Sequence, residues 1–387
     1  MRIAVIADDL TGAADTGVQL ARAGHRTAVV FRGEPAPGDV DAVVADTDSR
    51  GLTAAAAAAR VRVAAAALAG APILMKKLDS TLRGPLAAEL EAALASGGRR
   101  AAVVAPAFPA TGRTMVGGVQ LVDGEPVHRT RFAHDPVTPV VEGDLVRVLG
   151  ARHVAAGASP AAALAAGGFV VCDAETDADL EALVRAVPDP SSVLWAGSAG
   201  LAAALGAVHP GPGTDDADDD QDLGGPVLVV VGSANRTARE QVAHLVAGGV
   251  PAAVLSLDRL GEDELSACAT RAAAALDAAG VCVLHPGAGE GAPARIAAAL
   301  AETAALAAER AAVAGLVLTG GDTAVHVARR LGATGLLVAD ELEPGVVLGR
   351  LLGPRRFRIV TKAGGFGSPD VLRNASAALA AGGRSRA

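Results

Sequence analysis

Aromatic side chains are nearly missing from this chain of 387 residues: it has six Phe, one Trp and no Tyr, 2% of the total. Single-stranded nucleic acid is held on aromatic stacking platforms, and a formal net charge of −8 repels a phosphate backbone. Nucleic acid is therefore not an expected partner. Cysteine is scarce as well. Cys172, Cys268 and Cys282 are odd in number, scattered and without a CxxC pair, so neither a zinc site nor a disulfide framework is indicated. A reduced cytoplasm is the simplest setting. The N-terminal stretch 1–9 lacks the long apolar region of a signal peptide. The uncharged run 154–172 is mostly Ala and Gly with Pro160 inside it, whereas a membrane span is richer in Leu, Ile and Phe. It reads as loop, helix and buried strand. No GxxxxGK[ST], GxGxxG or GxSxG pattern is present in a loop where it would act.

What the chain does have is length and apolar mass. Its 387 residues suit two domains, and 51% are hydrophobic, much of that alanine. Short β-branched runs at 3–7, 27–31, 42–45, 73–76 and 101–105 alternate with helical patterns at 13–23, 54–69 and 86–95. Strands buried on both sides by such helices form parallel, doubly wound sheets. The rhythm breaks from 107 to 139, where 119–127 reads as a hairpin turned at Asp123-Gly124. Long irregular insertions of this kind are usually functional. Strands follow at 169–172 and 193–195. Pro and Gly residues at 210–213 and an acidic cluster at 215–222 mark a solvated linker. Beyond it strands at 227–231, 252–255, 281–284, 316–318, 336–338 and 357–361 alternate with five helices. The expected fold is α/β in two domains, 1–207 and 226–387 joined by 208–225, each with a mainly parallel sheet flanked by helices.

Three stretches in the first half carry chemistry. Asp8-Asp9-Leu10-Thr11-Gly12 ends the first strand and opens a helix. Paired carboxylates there suit hydroxyl binding, metal binding or base work, while the structural alternative is a helix cap by Asp9 or Thr11. Lys77-Leu78-Asp79-Ser80-Thr81-Leu82-Arg83-Gly84 follows another strand. Arg83 suits a bidentate grip on a carboxylate, and Asp79 and Ser80 suit sugar hydroxyls. Capping by Ser80 or Thr81 is the alternative. The third stretch is Thr111-Gly112-Arg113. The second half has three glycine turns, each after a strand: Gly232-Ser233-Ala234-Asn235, Thr319-Gly320-Gly321-Asp322-Thr323, and Lys362-Ala363-Gly364-Gly365-Phe366-Gly367. Glycines let backbone N–H groups approach phosphate oxygens, and a following helix adds its dipole. Asp322 is a candidate for orienting Mg²⁺ or for a helix cap. His25, His134, His285 and His326 have no i,i+4 partner and read as structural.

At these residues the sequence resembles the four-carbon acid sugar kinases over nearly its whole length. The resemblance rests on the stretches 7–13, 77–84, 106–114 and 197–201, and on the glycine turns at 232–233, 318–323 and 361–367. Leu10 stands where the family commonly has an aromatic, and Ala363 where it has Pro or Ser. The resemblance implies a sugar-acid site in the N-terminal domain and an ATP site in the C-terminal domain, meeting in an interdomain cleft that closes about the linker. It places Asp9, Lys77 and Asp79 as catalytic residues and Asp8, Thr11, Ser80, Arg83 and Arg113 on the substrate. Ser233, Asn235, Gly320, Gly321, Asp322, Thr323, Gly364, Gly365 and Gly367 would hold ATP with Mg²⁺. Asp9 and Asp79 both stand as candidate bases, and no metal ligand is assigned. The implied reaction is phosphorylation of the terminal hydroxyl of a tetronate, 3-oxo-tetronate or threonate, with no membrane partner and with room for a homo-oligomer. The alternatives are a dinucleotide-dependent oxidoreductase and a non-catalytic sugar-acid sensor.

Overall fold

Val, Ile and Ala runs form the buried strands of a computed structural model that describes residues 1–213, 224–355 and 357–381. The chain divides into two compact units, Met1–Thr214 and Asp215–Ala387. The acidic run 215–222 falls outside the described residues.

Unit 1 begins with β1 (Ile3–Ala7), α1 (Leu10–Arg22), β2 (Thr27–Val30), β3 (Ala42–Asp46) and α2 (Ala54–Leu68). Next come β4 (Ile73–Lys77), α3 (Leu86–Ser96) and β5 (Ala101–Ala105). An insertion then builds a small antiparallel sheet from β6 (Arg113–Val116), β7 (Val119–Val122) and β8 (Glu125–Pro126). The expected hairpin turn at Asp123-Gly124 joins β7 to β8, both residues at positive φ. A second turn at Gly117-Gly118, not expected from the sequence, joins β6 to β7. The unit closes with α4 (Leu145–Leu149), β9 (Arg152–Val154), α5 (Ala161–Ala165), β10 (Gly168–Cys172), α6 (Asp177–Arg185), β11 (Val193–Gly197) and α7 (Ala199–Val208).

The main sheet of unit 1 has the order β2-β3-β1-β4-β11-β5-β10-β9, with every neighbouring pair parallel. From β1 the chain first goes out through β2 and β3 on one side, then returns to place β4 on the other. The crevice at such a switch of direction is where open α/β sheets bind ligands. It brings the segments following β1, β3 and β4 side by side.

Unit 2 comprises β12 (Val227–Val231), α8 (Arg236–Ala247), β13 (Ala252–Leu255), α9 (Glu262–Ala279), β14 (Val281–Pro286), α10 (Pro293–Arg310) and β15 (Gly315–Thr319). After them come α11 (Gly321–Arg330), β16 (Gly335–Glu343), β17 (Val346–Leu352), β18 (Arg358–Lys362) and α12 (Val371–Ala380). The strands β13-β14-β12-β15-β18 are parallel, while β17 and β16 add an antiparallel pair beside β18. Strand β17 was not expected from the sequence, and β16 runs past the expected 336–338. Inward Val residues of β12, β15 and β18 form a core with α8 and α12. Since β12, β15 and β18 are adjacent and parallel, their three glycine turns leave the same sheet edge. No helix among the described residues is long and apolar enough to cross a membrane.

Candidate active site

Helix α1 starts at Leu10, earlier than the expected 13, because Asp9 caps it: Oδ1 of Asp9 accepts the Gly12 N–H at 2.8 Å. The cap consumes one lone pair only. Arg50, in the segment following β3, spans both carboxylates with four bonds. Its Nε and Nη2 donate to Asp8 at 2.7 and 3.0 Å, and its Nη1 and Nη2 to Asp9 at 2.6 and 2.8 Å. The Asp8 side chain is 3% exposed and that of Asp9 30%. Their proton affinities part accordingly. Burial works against the charge of Asp8, but Arg50, Lys76 and Lys77 together hold it below the ordinary carboxylate range. At Asp9, burial and the neighbouring Asp8 charge outweigh Arg50 and raise the proton affinity.

Lys77 ends β4 and is buried. A Cβ added at Gly12 would lie 2.6 Å from Asp9 Oδ1 and 2.8 Å from Lys77 Nζ. The ammonium and the accessible carboxylate thus flank the space that Gly12 leaves open. Among the described residues, no hydrogen bond or ion pair engages Lys77 Nζ. By contrast, Lys76 turns to the other side and is committed to structure. Its Nζ is 2.9 Å from Glu89 of α3, and Glu89 in turn accepts from Ser49 at 2.5 Å.

After β4 the chain makes a tight turn in which Leu82 adopts φ +62°. That left-handed conformation is uncommon for a branched side chain and costs roughly 1–3 kcal/mol. It folds Arg83 back so that its Nε meets Asp79 at 2.6 Å, with Thr81 donating to the same oxygen at 2.6 Å. Burial would raise the proton affinity of Asp79, yet Arg50 and Arg83 hold its carboxyl well below the usual range. Neither Ser80 nor Thr81 caps α3, whose first residue is Leu86 with Pro85 at the cap. The Ser80 carbonyl instead accepts from Gln120 of β7, tying the insertion to this loop at 2.8 Å. The insertion also brings Asp135 to 3.6 Å from Arg83 Nη1 and the Phe132 ring under its guanidinium.

The structure therefore gathers Asp8, Asp9, Lys77, Asp79 and Arg83 with Arg50 at one sheet edge. Thr11 is half-buried in the first turn of α1. Arg113 at the start of β6 donates to the Thr111 carbonyl, its Nε is buried without a partner, and no ion pair or side-chain hydrogen bond joins it to the Asp8–Asp79 group. Arg50 is the residue that the sequence reading passed over. The available signal was its place in Asp48-Ser49-Arg50-Gly51, just beyond a strand end, as with Asp8 and Lys77.

In unit 2 the three glycine turns interlock. A Cβ at Gly364 would fall 1.9 Å from Ser233 Oγ and 3.1 Å from Asn235 Cβ, and one at Gly365 3.4 Å from Asn235 Nδ2. A Cβ at Gly232 would fall 2.1 Å from Thr323 Oγ1. Gly320 has φ +100° and packs on Ser233. Side chains at Gly364 and Gly232 would collide with Ser233 and Thr323, so these glycines let the three turns pack against one another. Asn235 caps α8 by accepting from Thr237 at 2.9 Å. Asp322 does not cap α11, since Gly320 holds that position; it lies exposed in the first turn beside Gly321. Gly367 lies farther along, against Val371. Lys362, at the end of β18, is buried and its ammonium is pushed down to about 8 by desolvation, against the pull of Glu343. Among the described residues no group of three or more His, Cys, Asp or Glu gathers to hold a metal ion.

Two family models match along the chain. One, described as a sugar-binding N-terminal domain, covers residues 3–205, and the other, a nucleotide-binding C-terminal domain, covers residues 228–372. The chain belongs to the four-carbon acid sugar kinase family. A relative named D-threonate kinase, from Bordetella bronchiseptica, is 41% identical over 97% of this chain and 97% of its own. A relative named 3-oxo-tetronate kinase, from Methylobacterium radiotolerans, is 32% identical over 97% and 98%. A crystal structure of a Bordetella bronchiseptica chain, described as a domain-swapped dimer with bound citrate, matches with a TM-score of 0.51 at 38% identity, covering 98% of both chains. Membership of this kinase family sets aside the oxidoreductase alternative.

Proposed function

We propose that this protein is an ATP-dependent kinase that phosphorylates the terminal hydroxyl of a four-carbon sugar acid, with D-threonate the first acceptor to test. One observation carries the reading. A partly exposed carboxylate of raised proton affinity, Asp9, stands beside the ammonium of Lys77 where β1 and β4 end. A hydroxyl directed at Asp9 gives its proton to the carboxylate as its oxygen bonds to the γ-phosphorus. The bond from that phosphorus to the bridging oxygen breaks, and ADP leaves with that electron pair. General-base help of this kind is worth ~10²–10⁴-fold. Lys77 offsets the negative charge of the transferring group.

Asp79 is too acidic to take the proton at neutral pH, because Arg50 and Arg83 stabilise its charged form. Its part is to hold Arg83 by Nε, and a substrate carboxylate would meet the Nη groups in place of Asp135, which lies 3.6 Å from Nη1. The citrate found with the Bordetella relative is in keeping with a family that accepts small carboxylates. Ser233, Asn235 and the turns at Gly320 and Gly364 would receive the phosphates on backbone N–H groups. A Mg²⁺ ion arriving with ATP supplies neutralisation of the β- and γ-phosphate charge. Asp322, exposed beside the turns, fits as its one protein carboxylate, in keeping with an ion held mostly by phosphate.

A coupled ADP-release assay across D-threonate, D-erythronate and 3-oxo-tetronate tests the proposal. Release well above the acceptor-free rate with at least one of the three is expected. Folded protein that turns over none of them would sink the substrate assignment.

A further inference from the structure

The glycine turn after β18 carries a feature that phosphate binding does not use. Phe366 sits between Gly365 and Gly367 and is 48% exposed. Among the chain's seven aromatic residues it alone is exposed; Phe31, Phe357 and Trp195 are buried and Phe108, Phe132 and Phe169 half-buried. A large apolar ring left in water is costly. Here it is also held in place rather than free to fold away. The Gln241 side chain of α8 is 1% exposed, and its Nε2 donates to the carbonyls of Phe366, Gly367 and Ser368, each at 3.0 Å. Glu343 grips Ser368 at both its N–H and its hydroxyl, at 2.6 and 2.9 Å. One side of the ring lies on Gly345, in the turn between β16 and β17, where a Cβ would come within 2.5 Å of Phe366 Cδ1. Gly345 has φ +75°, and its N–H is tied to Glu341 at 2.6 Å. A buried amide and a carboxylate clamp thus fix the main chain that carries Phe366, and Gly345 seats one side of its half-exposed ring.

We propose that Phe366 is the stacking platform for the purine base of the nucleotide. This rests on the nucleotide site proposed above and adds to it the residue that recognises the base. The logic is positional. Phe366 lies two residues from Gly364, which packs on Ser233 and Asn235 in the phosphate cradle. A triphosphate seated there carries its ribose and base away from the cradle, and a π-face is what a purine needs at that point. Backbone N–H groups hold phosphates of any nucleotide alike, so an aromatic platform supplies affinity that the cradle cannot.

The experiment compares ATP with inorganic tripolyphosphate, which has the phosphates without the base, by calorimetry on the full chain. Phe366→Ala and Phe366→Trp are placed beside the unaltered protein; an exposed position tolerates both. Phe366→Ala is expected to weaken ATP binding between about fivefold and a hundredfold and to leave tripolyphosphate unchanged. Phe366→Trp is expected to restore ATP affinity and to show indole quenching on ATP but not on tripolyphosphate, readable because Trp195 is buried. Equal weakening of both ligands in Phe366→Ala would show that the ring only shapes the turn, and would overturn the proposal. So would unchanged ATP affinity. If the unaltered protein binds neither ligand, it is the nucleotide reading itself that fails.

Discussion

Two neighbouring carboxylates in one turn do different work because their surroundings differ. Asp8 is sealed and held charged by Arg50, Lys76 and Lys77, so it serves to anchor the guanidinium. Asp9 shares that guanidinium but is only partly buried, and desolvation with the Asp8 charge raises its affinity for a proton. As the proposed general base Asp9 works in its deprotonated form, so activity is expected to fall as pH drops through its pKa. The acid limb of kcat/KM should therefore lie above the ordinary aspartate value of about 3.9. Asp79, shifted the opposite way, contributes no such limb. Asp9→Asn is expected to lower kcat by ~10²–10⁴-fold and to abolish the limb, as measured by the pH profile of ADP release. An Asp9→Asn enzyme that retains both its rate and its limb would move the base elsewhere.

Strand ends were legible because β-branched runs stop abruptly at charged or glycine-rich turns, and so Asp8, Asp9, Lys77 and the three glycine turns could be read as site residues. Arg50 could not, since its partners lie 41 and 42 residues earlier and meet it only because β3 pairs with β1. Strand β17 was hidden by Gly349, which breaks the apolar run but is required there: a Cβ would lie 2.4 Å from the Leu337 carbonyl oxygen on β16. Lys76 and Lys77 are alike as letters, yet strand alternation sends one to the site and the other to α3. The Lys76–Glu89 pair is almost wholly buried, and through Ser49 it braces the segment that presents Arg50. Removing one member leaves an uncompensated buried charge. Glu89→Gln is expected to cost about 3–5 kcal/mol in urea unfolding, while the double change Lys76→Met with Glu89→Leu costs less than the single one. A double variant less stable than Glu89→Gln would contradict this account.

The proposed function divides the chemistry between the two units of the chain, since each groups its own residues at the ends of its own parallel strands. Sugar-acid binding should then respond to Arg83 and nucleotide binding to Gly364, with little crossover. Gly364 admits no side chain without displacing Ser233, whose Oγ lies 1.9 Å from where a Cβ would stand. Gly364→Ala is expected to weaken ATP tenfold or more, about 1.4 kcal/mol, while leaving the affinity for D-threonate as it was. Arg83→Gln should do the reverse for the sugar acid and spare ATP, because no residue of unit 2 is altered. Calorimetry with each ligand alone reads both arms. Both variants should nonetheless lose turnover, since phosphoryl transfer needs the two ligands positioned together. Loss of both affinities in either variant would mean that the units do not bind independently, and the division of labour argued from their separate groups of strand-end residues would fall.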